Sequence, residues 1–179
     1  MPIYIKHNTI ILYHGSPQIV RTPRIITPKR PMDYGNGFYC TTSKLQATQR
    51  AISKSFDLQA GYINIFELDN DCLNSLNVKT FHSANNEWVD FVEENRRNPR
   101  FEHNFDIVIG PVADDRVNQS FSLYEQRIIS KQELIQRLQT YKLKNQYLFH
   151  TDKALETLKF IKAEHVQKKS ETKKRGIRL

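Results

Sequence analysis

Three short stretches, far apart in the chain, combine residue types that can bind a ligand and take part in chemistry. His14-Gly15-Ser16 places an imidazole and a hydroxyl at the end of an apolar run. Gly35-Asn36-Gly37-Phe38-Tyr39 has two glycines, which let the backbone turn sharply and approach a ligand closely, and then two aromatic residues. Asn145-Gln146-Tyr147 carries a neutral amide that both donates and accepts hydrogen bonds. Taken singly, the first stretch is explained more simply by a structural histidine and the second by a hairpin bend.

Two charged segments are further candidates. Residues 17–33 hold four prolines, which exclude a helix, and four cations that could bind an anionic ligand: Arg21, Arg24, Lys29 and Arg30. A solvated loop is an equal alternative for this segment. Asp114 and Asp115 could hold a cation, although a turn or a helix cap explains two adjacent aspartates more simply.

The elements that must position these residues follow from apolar periodicity and from turn signals. Strands are predicted over residues 9–13, 38–41, 61–68, 76–81, 105–111 and 146–150. Helices are predicted over residues 42–53, 86–97, from a capping box at Ser130 to Glu133 onward, and over 151–161. Strands and helices mix irregularly, so we expect an α+β fold with one or two curved sheets.

Length and composition favour one folded domain over residues 1–161 and a basic tail over residues 162–179. The chain has 179 residues and a net charge of +8. Seven Lys or Arg against two Glu in the last eighteen residues give the tail +5, which indicates a solvated end better than a folded nucleic-acid site. No apolar run reaches membrane-spanning length, and the first residues lack a signal-peptide core. Cys40 and Cys72 have no metal-ligand spacing, so we expect a reduced, cytoplasmic protein without a metal.

Together, the three stretches resemble the ADP-ribosyltransferase superfamily in its diphtheria-toxin and poly(ADP-ribose) polymerase branch. That branch has His-Gly at a strand end, Gly-x-Gly-aromatic-Tyr before a strand, and Glu-Tyr in a late strand. Here Gln146 stands where the branch has Glu. A nearer resemblance is to an uncharacterised bacterial family of that fold, through the Gly-x-Gly-Phe-Tyr-x-Thr turn, Trp-Val-Asp-Phe-Val, Ile-Gly-Pro-Val-Ala-Asp-Asp and Phe-His-Thr-Asp-Lys-Ala-Leu.

This resemblance implies split, curved β-sheets with flanking helices, NAD+ as the substrate, and loss of nicotinamide through an oxocarbenium-like ribose. It implies catalytic roles for His14 on the adenosine ribose, Tyr39 on the nicotinamide ring and Gln146 on the nicotinamide ribose 2′-hydroxyl. It also implies NAD+-binding residues, among which Gly15 would offer backbone groups to the nicotinamide amide: Gly15, Ser16, Arg24, Gly37, Phe38 and Thr41.

The neutral Gln146 favours mono-ADP-ribosyl transfer or NAD+ hydrolysis over polymer synthesis, because an amide cannot neutralise a developing cation. Glu125 and Glu133 could supply a carboxylate from elsewhere. The resemblance further implies a protein or nucleic-acid acceptor, and a bacterial toxin held in check by an antitoxin protein in a toxin-antitoxin or defence locus. The alternatives are a non-catalytic module that binds a nucleotide or a partner, a plain NAD+ glycohydrolase, and a nucleic-acid binder that rests on the basic tail alone.

Overall fold

A computed structural model describes residues 8–56, 60–112 and 115–168 of the chain. The described strands are β1 Thr9–Ser16, β2 Phe38–Thr41, β3 Ala60–Asp69, β4 Val78–Thr80, β5 Ile107–Pro111, β6 Asn145–Phe149 and β7 Leu158–Gln167. The helices are α1 Lys44–Lys54, α2 Asn86–Arg97, α3 Asp115–Glu125, α4 Lys131–Gln139 and α5 Asp152–Leu155, with a 3-10 helix at Asn70–Ser75. The predicted α+β class is confirmed. The acidic turn around residues 112–115 falls in part on residues 113 and 114, which lie outside the described ranges.

The described strands form one mixed sheet in the order β4-β5-β6-β2-β1-β3-β7. All neighbours are antiparallel except β4 and β5. The residue pattern predicted one or two sheets and the resemblance implied split ones; the described strands form one continuous sheet. The shortest strand pairing in this sheet is between β1 and β2, which share a single register pair, Tyr13↔Thr41. Toward Ser16 and Phe38 the two strands have no further paired residues, so their ladder ends there and they separate.

Three apolar clusters hold the fold together. On one face of the sheet, α2, α3 and α4 pack over β5 and β6 around Trp88, Phe121 and Leu148. On the other face, Leu12, Phe38, Phe66 and Phe149 form a cluster that joins both halves of the sheet and includes α5. A smaller third cluster places α1 against β1 and β3.

Local signals predicted most helix starts correctly. Ser130 and Glu133 form the reciprocal hydrogen bonds of a capping box, and Asn85 caps α2, whose bounds match the prediction. Ser43 caps α1, as its side chain accepts a hydrogen bond from Gln46 N. The helix α3 was not predicted.

The predicted final helix over residues 151–161 is wrong beyond Leu155. α5 ends there, and β7 begins at Leu158 and pairs with β3 along its length. Residues 162–167 therefore belong to the sheet rather than to the predicted tail, and residues 169–179 of that tail lie outside the described ranges. No described helix is long and apolar enough to cross a membrane.

Candidate functional site

The Gly-x-Gly segment forms a tight turn that enters β2. Gly35 N donates to Met32 O at 3.2 Å, and Gly35 has φ +89°, in the left-handed region that favours glycine. Gly37 has φ +143°, and a Cβ there would lie 2.4 Å from Phe149 O. Glycine at position 37 is therefore required for the backbone to pass close to β6.

Tyr39 closes this turn with its hydroxyl group. Its Oη donates to Gly35 O at 2.7 Å and accepts from Tyr34 N at 3.2 Å. Burial of the phenol raises the pKa of Tyr39 well above its ordinary value, with the nearby Asp33 charge as the second cause. Tyr39 therefore stays a neutral phenol, and its two hydrogen bonds fix the hydroxyl against the turn.

Tyr34 anchors the same turn to the core. The side chain is fully buried, its Oη donates to Pro111 O at 2.9 Å, and it accepts from Trp88 Nε1 at 2.6 Å. Burial raises the pKa of Tyr34, so this phenol also stays neutral. The turn is thus fastened to the end of β5 and to α2.

A polar cluster, which we call the Asp33 cluster, lies beside the turn and consists of Asp33, Arg96, Asn118 and Gln146. Arg96 Nε and Nη2 donate to Asp33 Oδ1 at 2.8 and 2.7 Å, and Arg96 Nη2 also donates to Asn118 Oδ1 at 2.9 Å. The guanidinium lies 4.7 Å from the centre of the Phe121 ring. Side chains of Asp33 and Arg96 are 15% and 19% exposed, so this ion pair is screened less than a surface pair.

Gln146 reaches this cluster from β6. Its Nε2 lies 3.5 Å from Asp33 Oδ2 and 3.4 Å from Pro111 O, and the residue is 7% exposed. The register Thr41↔Gln146 and Tyr39↔Leu148 places Tyr39 and Gln146 on the same face of the sheet, because alternate residues share a face. The structure therefore brings Tyr39, Gln146 and the turn of residues 33–35 together.

His14 lies on the other side of β2. Its ring stacks on Phe38 with centroids 4.2 Å apart, and Phe38 faces the cluster opposite to the one that Tyr39 contacts. His14 meets Tyr39 only through the backbone, where Nδ1 lies 2.7 Å from Tyr39 O. Since a carbonyl accepts, Nδ1 carries the hydrogen in the neutral ring and Nε2 is left as an acceptor.

Burial above all, together with the nearby cations Lys54 and Arg50, lowers the pKa of His14 to about 4 against the opposing effect of the hydrogen bond to Tyr39. His14 is therefore a neutral imidazole at pH 7. It bridges β1 and β2 at the place where the two strands separate. In that position it can accept a hydrogen bond from a hydroxyl group and cannot act as a cation.

Asn64 holds the segment after His14 and was not recognised in the sequence. It is fully buried in β3, its Nδ2 donates to His14 O and Gln18 O at 3.3 Å each, and its Oδ1 accepts from Val20 N at 2.7 Å. A buried amide bonded to three backbone groups fixes the path of residues 14–20. An asparagine inside an apolar strand pattern was the only signal in the sequence.

Most of the other residues predicted to bind the ligand make contacts within the protein itself, and one is exposed on a loop. A Cβ on Gly15 would lie 2.0 Å from Ala47 O, so this glycine allows α1 to pack on β1. Ser16 Oγ accepts from Gln18 N at 3.2 Å, and Thr41 Oγ1 donates to Gln46 Oε1 at 2.9 Å. Phe38 is a core side chain, whereas Arg24 is exposed on the loop after β1.

Two histidines that the sequence analysis did not single out hold the outer side of the Gly turn. His103 Nε2 lies 2.8 Å from Tyr34 O, and His150 Nδ1 lies 2.7 Å from Asn36 O. Their ring centroids are 4.3 Å apart. Burial lowers the pKa of His103 most, and the nearby His150 lowers it further. Since carbonyl oxygens accept, both rings donate to the turn and keep it in place.

Of the two alternative carboxylates, Glu133 is engaged in the capping box of α4 and Glu125 ends α3. The carboxylate that hydrogen-bonds Gln146 among the described residues is instead Asp33. Asp33 directly precedes the Gly turn, and this position in the sequence could have indicated a role in the site. Its pairing with Arg96 could not be predicted, because the two residues are 63 positions apart.

The chain belongs to a family described as proteins of unknown function, DUF3990, whose model matches residues 10–160. A search among curated proteins finds no match. The family match covers every described element that builds the site, from β1 to β6.

Proposed function

We propose that this protein is an NAD+-dependent mono-ADP-ribosyltransferase of the ADP-ribosyltransferase superfamily. The observation that carries the proposal is the convergence of Tyr39 and Gln146 on one turn, residues 33–35, next to the place where β1 and β2 separate at His14. An aromatic ring, a hydrogen-bonding amide and the neighbouring Asp33 carboxylate suit a nucleotide that carries a positively charged nicotinamide ring.

Each residue then has a specific task toward NAD+. His14 Nε2 accepts a hydrogen bond from a hydroxyl of the adenosine ribose, since Nδ1 is committed to Tyr39 O. The Tyr39 ring stacks on nicotinamide, and its rigidity follows from the two hydrogen bonds of its hydroxyl. Gln146 binds the 2′-hydroxyl of the nicotinamide ribose and orients C1′ for attack.

The acceptor is a macromolecule, protein or nucleic acid, and transfer stops after one ADP-ribose. A neutral Gln146 cannot activate the hydroxyl of a bound ADP-ribose for chain extension, whereas a carboxylate could. An enzyme that consumes NAD+ in the cytoplasm needs restraint, so the proposal includes a bacterial toxin role with an antitoxin protein as its partner.

A non-catalytic nucleotide-binding module is the second candidate. One observation favours it: the Tyr39 hydroxyl and the Gln146 amide nitrogen both bond to groups of the protein itself. Such a module would bind NAD+ or a related nucleotide and leave it intact.

The test is incubation of purified protein with NAD+ labelled on the adenylate phosphate, together with a cell lysate. We expect label in macromolecules, removed by protease or by nuclease according to the acceptor. Tyr39→Ala is the negative control, and Tyr62→Ala, on β3, is the matched tyrosine substitution away from the Gly turn. Binding of NAD+ without labelled product or released nicotinamide would favour the module instead.

A further inference from the structure

The Asp33 cluster contains a carboxylate whose two oxygens have different surroundings. Oδ1 accepts hydrogen bonds from Arg96 Nε at 2.8 Å and from Arg96 Nη2 at 2.7 Å. These two bonds use its acceptor capacity and fix the plane of the carboxylate. Among the described residues, the contact to Oδ2 is the long one of 3.5 Å from Gln146 Nε2. One oxygen of Asp33 is therefore held in place and the other keeps acceptor capacity toward the site.

The neighbouring Asp33 carboxylate explains why residue 146 is an amide rather than a carboxylate. A glutamate there would place two carboxylates next to each other in a largely buried position, and like charges so close cannot both stay ionised. Glutamine instead directs an N–H donor toward Asp33 Oδ2 and places no second negative charge beside it. The neutral residue on β6 and the charged residue before the Gly turn thus form a complementary pair.

We propose that Asp33 is the catalytic carboxylate of the site, an inference that rests on the proposed function. The Asp33 Oδ2 atom lies beside Gln146, which binds the ribose 2′-hydroxyl, so its negative charge faces the ribose. Arg96 is a positioning residue that holds Oδ1. The essential charge therefore comes from the loop before β2 and the essential hydrogen bond comes from β6.

The proposed reaction needs no reactant besides NAD+ and either water or the acceptor. The C1′–N1 bond of NAD+ breaks, and its electron pair leaves with nicotinamide, which becomes neutral. The positive charge passes to the ribose C1′ and ring oxygen, where Asp33 Oδ2 stabilises it. Water, or a heteroatom of the acceptor, then forms a bond to C1′ and releases one proton to solvent.

The experiment measures nicotinamide release from NAD+ by the full-length chain and by Asp33→Asn. We expect the variant to lose about 10² or more in rate, the scale for removing one group that stabilises charge in a transition state. NAD+ affinity, measured by calorimetry, should change little. Asp90→Asn, an exposed aspartate on α2, is the matched control and should keep the wild-type rate.

Two further variants separate a catalytic from a structural role. Asp33→Ala should regain activity on addition of formate, which supplies a carboxylate in the space left, whereas Asp33→Asn should not. Asp33→Asn/Gln146→Glu exchanges the acid and the amide and should be faster than Asp33→Asn alone. Either recovery supports the proposal even where Asp33→Asn folds poorly.

The outcomes distinguish a failure of the role proposed for Asp33 from a failure of the proposed function. An active wild type with an equally active Asp33→Asn overturns the role of Asp33 and leaves the proposed function standing. An active wild type with inactive Asp33 variants that neither formate nor the exchange restores shows that Asp33 only supports the fold. A wild type that releases no nicotinamide overturns the proposed function and this inference with it.

Discussion

At the scale of single residues, the site depends on side chains whose charge state is set by burial. His14 would be partly protonated near neutral pH in an unfolded chain, yet in the fold its pKa is about 4. Tyr34 and Tyr39 are kept neutral by the same desolvation. Beside Tyr39 and Gln146, Asp33 and Arg96 form an ion pair that fixes the position of both side chains.

His14 should make the protein sensitive to acid. Its pKa is lower in the folded state than the ordinary 6.5, so the unfolded chain binds more protons, and stability falls as pH falls from about 6.5 to about 4. The difference corresponds to about 3 kcal/mol of unfolding free energy at pH 4 relative to pH 7. Denaturant titrations at several pH values should show this loss in the wild type and a much smaller one in His14→Gln.

His82→Gln is the control for that experiment, because His82 is exposed. It should follow the wild-type pH dependence. A His14→Gln variant with the same acid sensitivity as the wild type would contradict a buried, neutral His14.

Gln146 should contribute to rate through one hydrogen bond. Gln146→Ala removes the amide that contacts Asp33 and that, in the proposed function, binds the ribose, so nicotinamide release should fall about 10², the usual scale for one such group. Gln139→Ala, on the exposed side of α4, is the matched substitution and should leave the rate unchanged. Equal rates for both variants would place Gln146 outside the chemistry.

At the scale of elements, glycines decide how closely helix and strand approach. Gly15 lies directly beneath α1, and a methyl group there would overlap Ala47 O at 2.0 Å and Ala51 N at 2.7 Å. Both neighbours are backbone atoms and cannot rotate away. α1 would have to move outward, and the strand end that carries His14 would move with it.

Gly15→Ala should therefore destabilise the fold by about 2 kcal/mol or more, within the range seen for overpacked cores. Thermal unfolding followed by circular dichroism measures this change. Gln49→Ala, on the exposed side of α1, should unfold within about a degree or two of the wild type, because exposed substitutions have small effects. A fully stable Gly15→Ala would mean that α1 does not pack as closely as described.

Local signals explain which elements could be predicted from the sequence. The Gly turn, the capping box of α4 and the span of α2 were predictable because a few neighbouring residues determine each of them. β7 was missed because Ala154, Leu155, Leu158 and Ile161 also fit helical spacing. Its pairing with β3, about 100 residues earlier, overrides that local pattern.

The same reason limits what the sequence showed of the site. The motifs predicted His14, Tyr39 and Gln146, and the fold brings Tyr39 and Gln146 to one turn. Sequence spacing could not show that the His14 ring lies on the opposite face of β2, nor that Arg96 would fix Asp33. Those facts depend on strand register and on helix placement.

At the scale of the whole molecule, the sheet has two halves, β4-β5-β6-β2 and β1-β3-β7, which meet at the single pair between β2 and β1. The halves are joined more by the apolar cluster around Leu12, Phe38, Phe66 and Phe149 than by that strand pairing. This shared cluster should make the halves unfold together. Trp88, the single tryptophan, is buried over β5 and β6 and reports on that half alone. Circular dichroism reports on the whole fold.

Unfolding in denaturant should thus give one transition with the same midpoint by tryptophan fluorescence and by circular dichroism, the behaviour expected of a cooperative single domain. A reversibility check at each concentration serves as the control. A fluorescence transition at lower denaturant than the circular dichroism transition would show that the half carrying Trp88 unfolds separately.

Nicotinamide release from NAD+ by the purified wild-type protein, measured by liquid chromatography, tests the central claim most directly. The account predicts nicotinamide and ADP-ribose in equal amounts in the absence of an acceptor, at a rate that falls in Tyr39→Ala and Gln146→Ala but not in Gln139→Ala. A rate for the wild type that equals the rate of a boiled sample, or one that none of these substitutions changes, would contradict the assignment of the NAD+ site to the turn beside the Asp33 cluster.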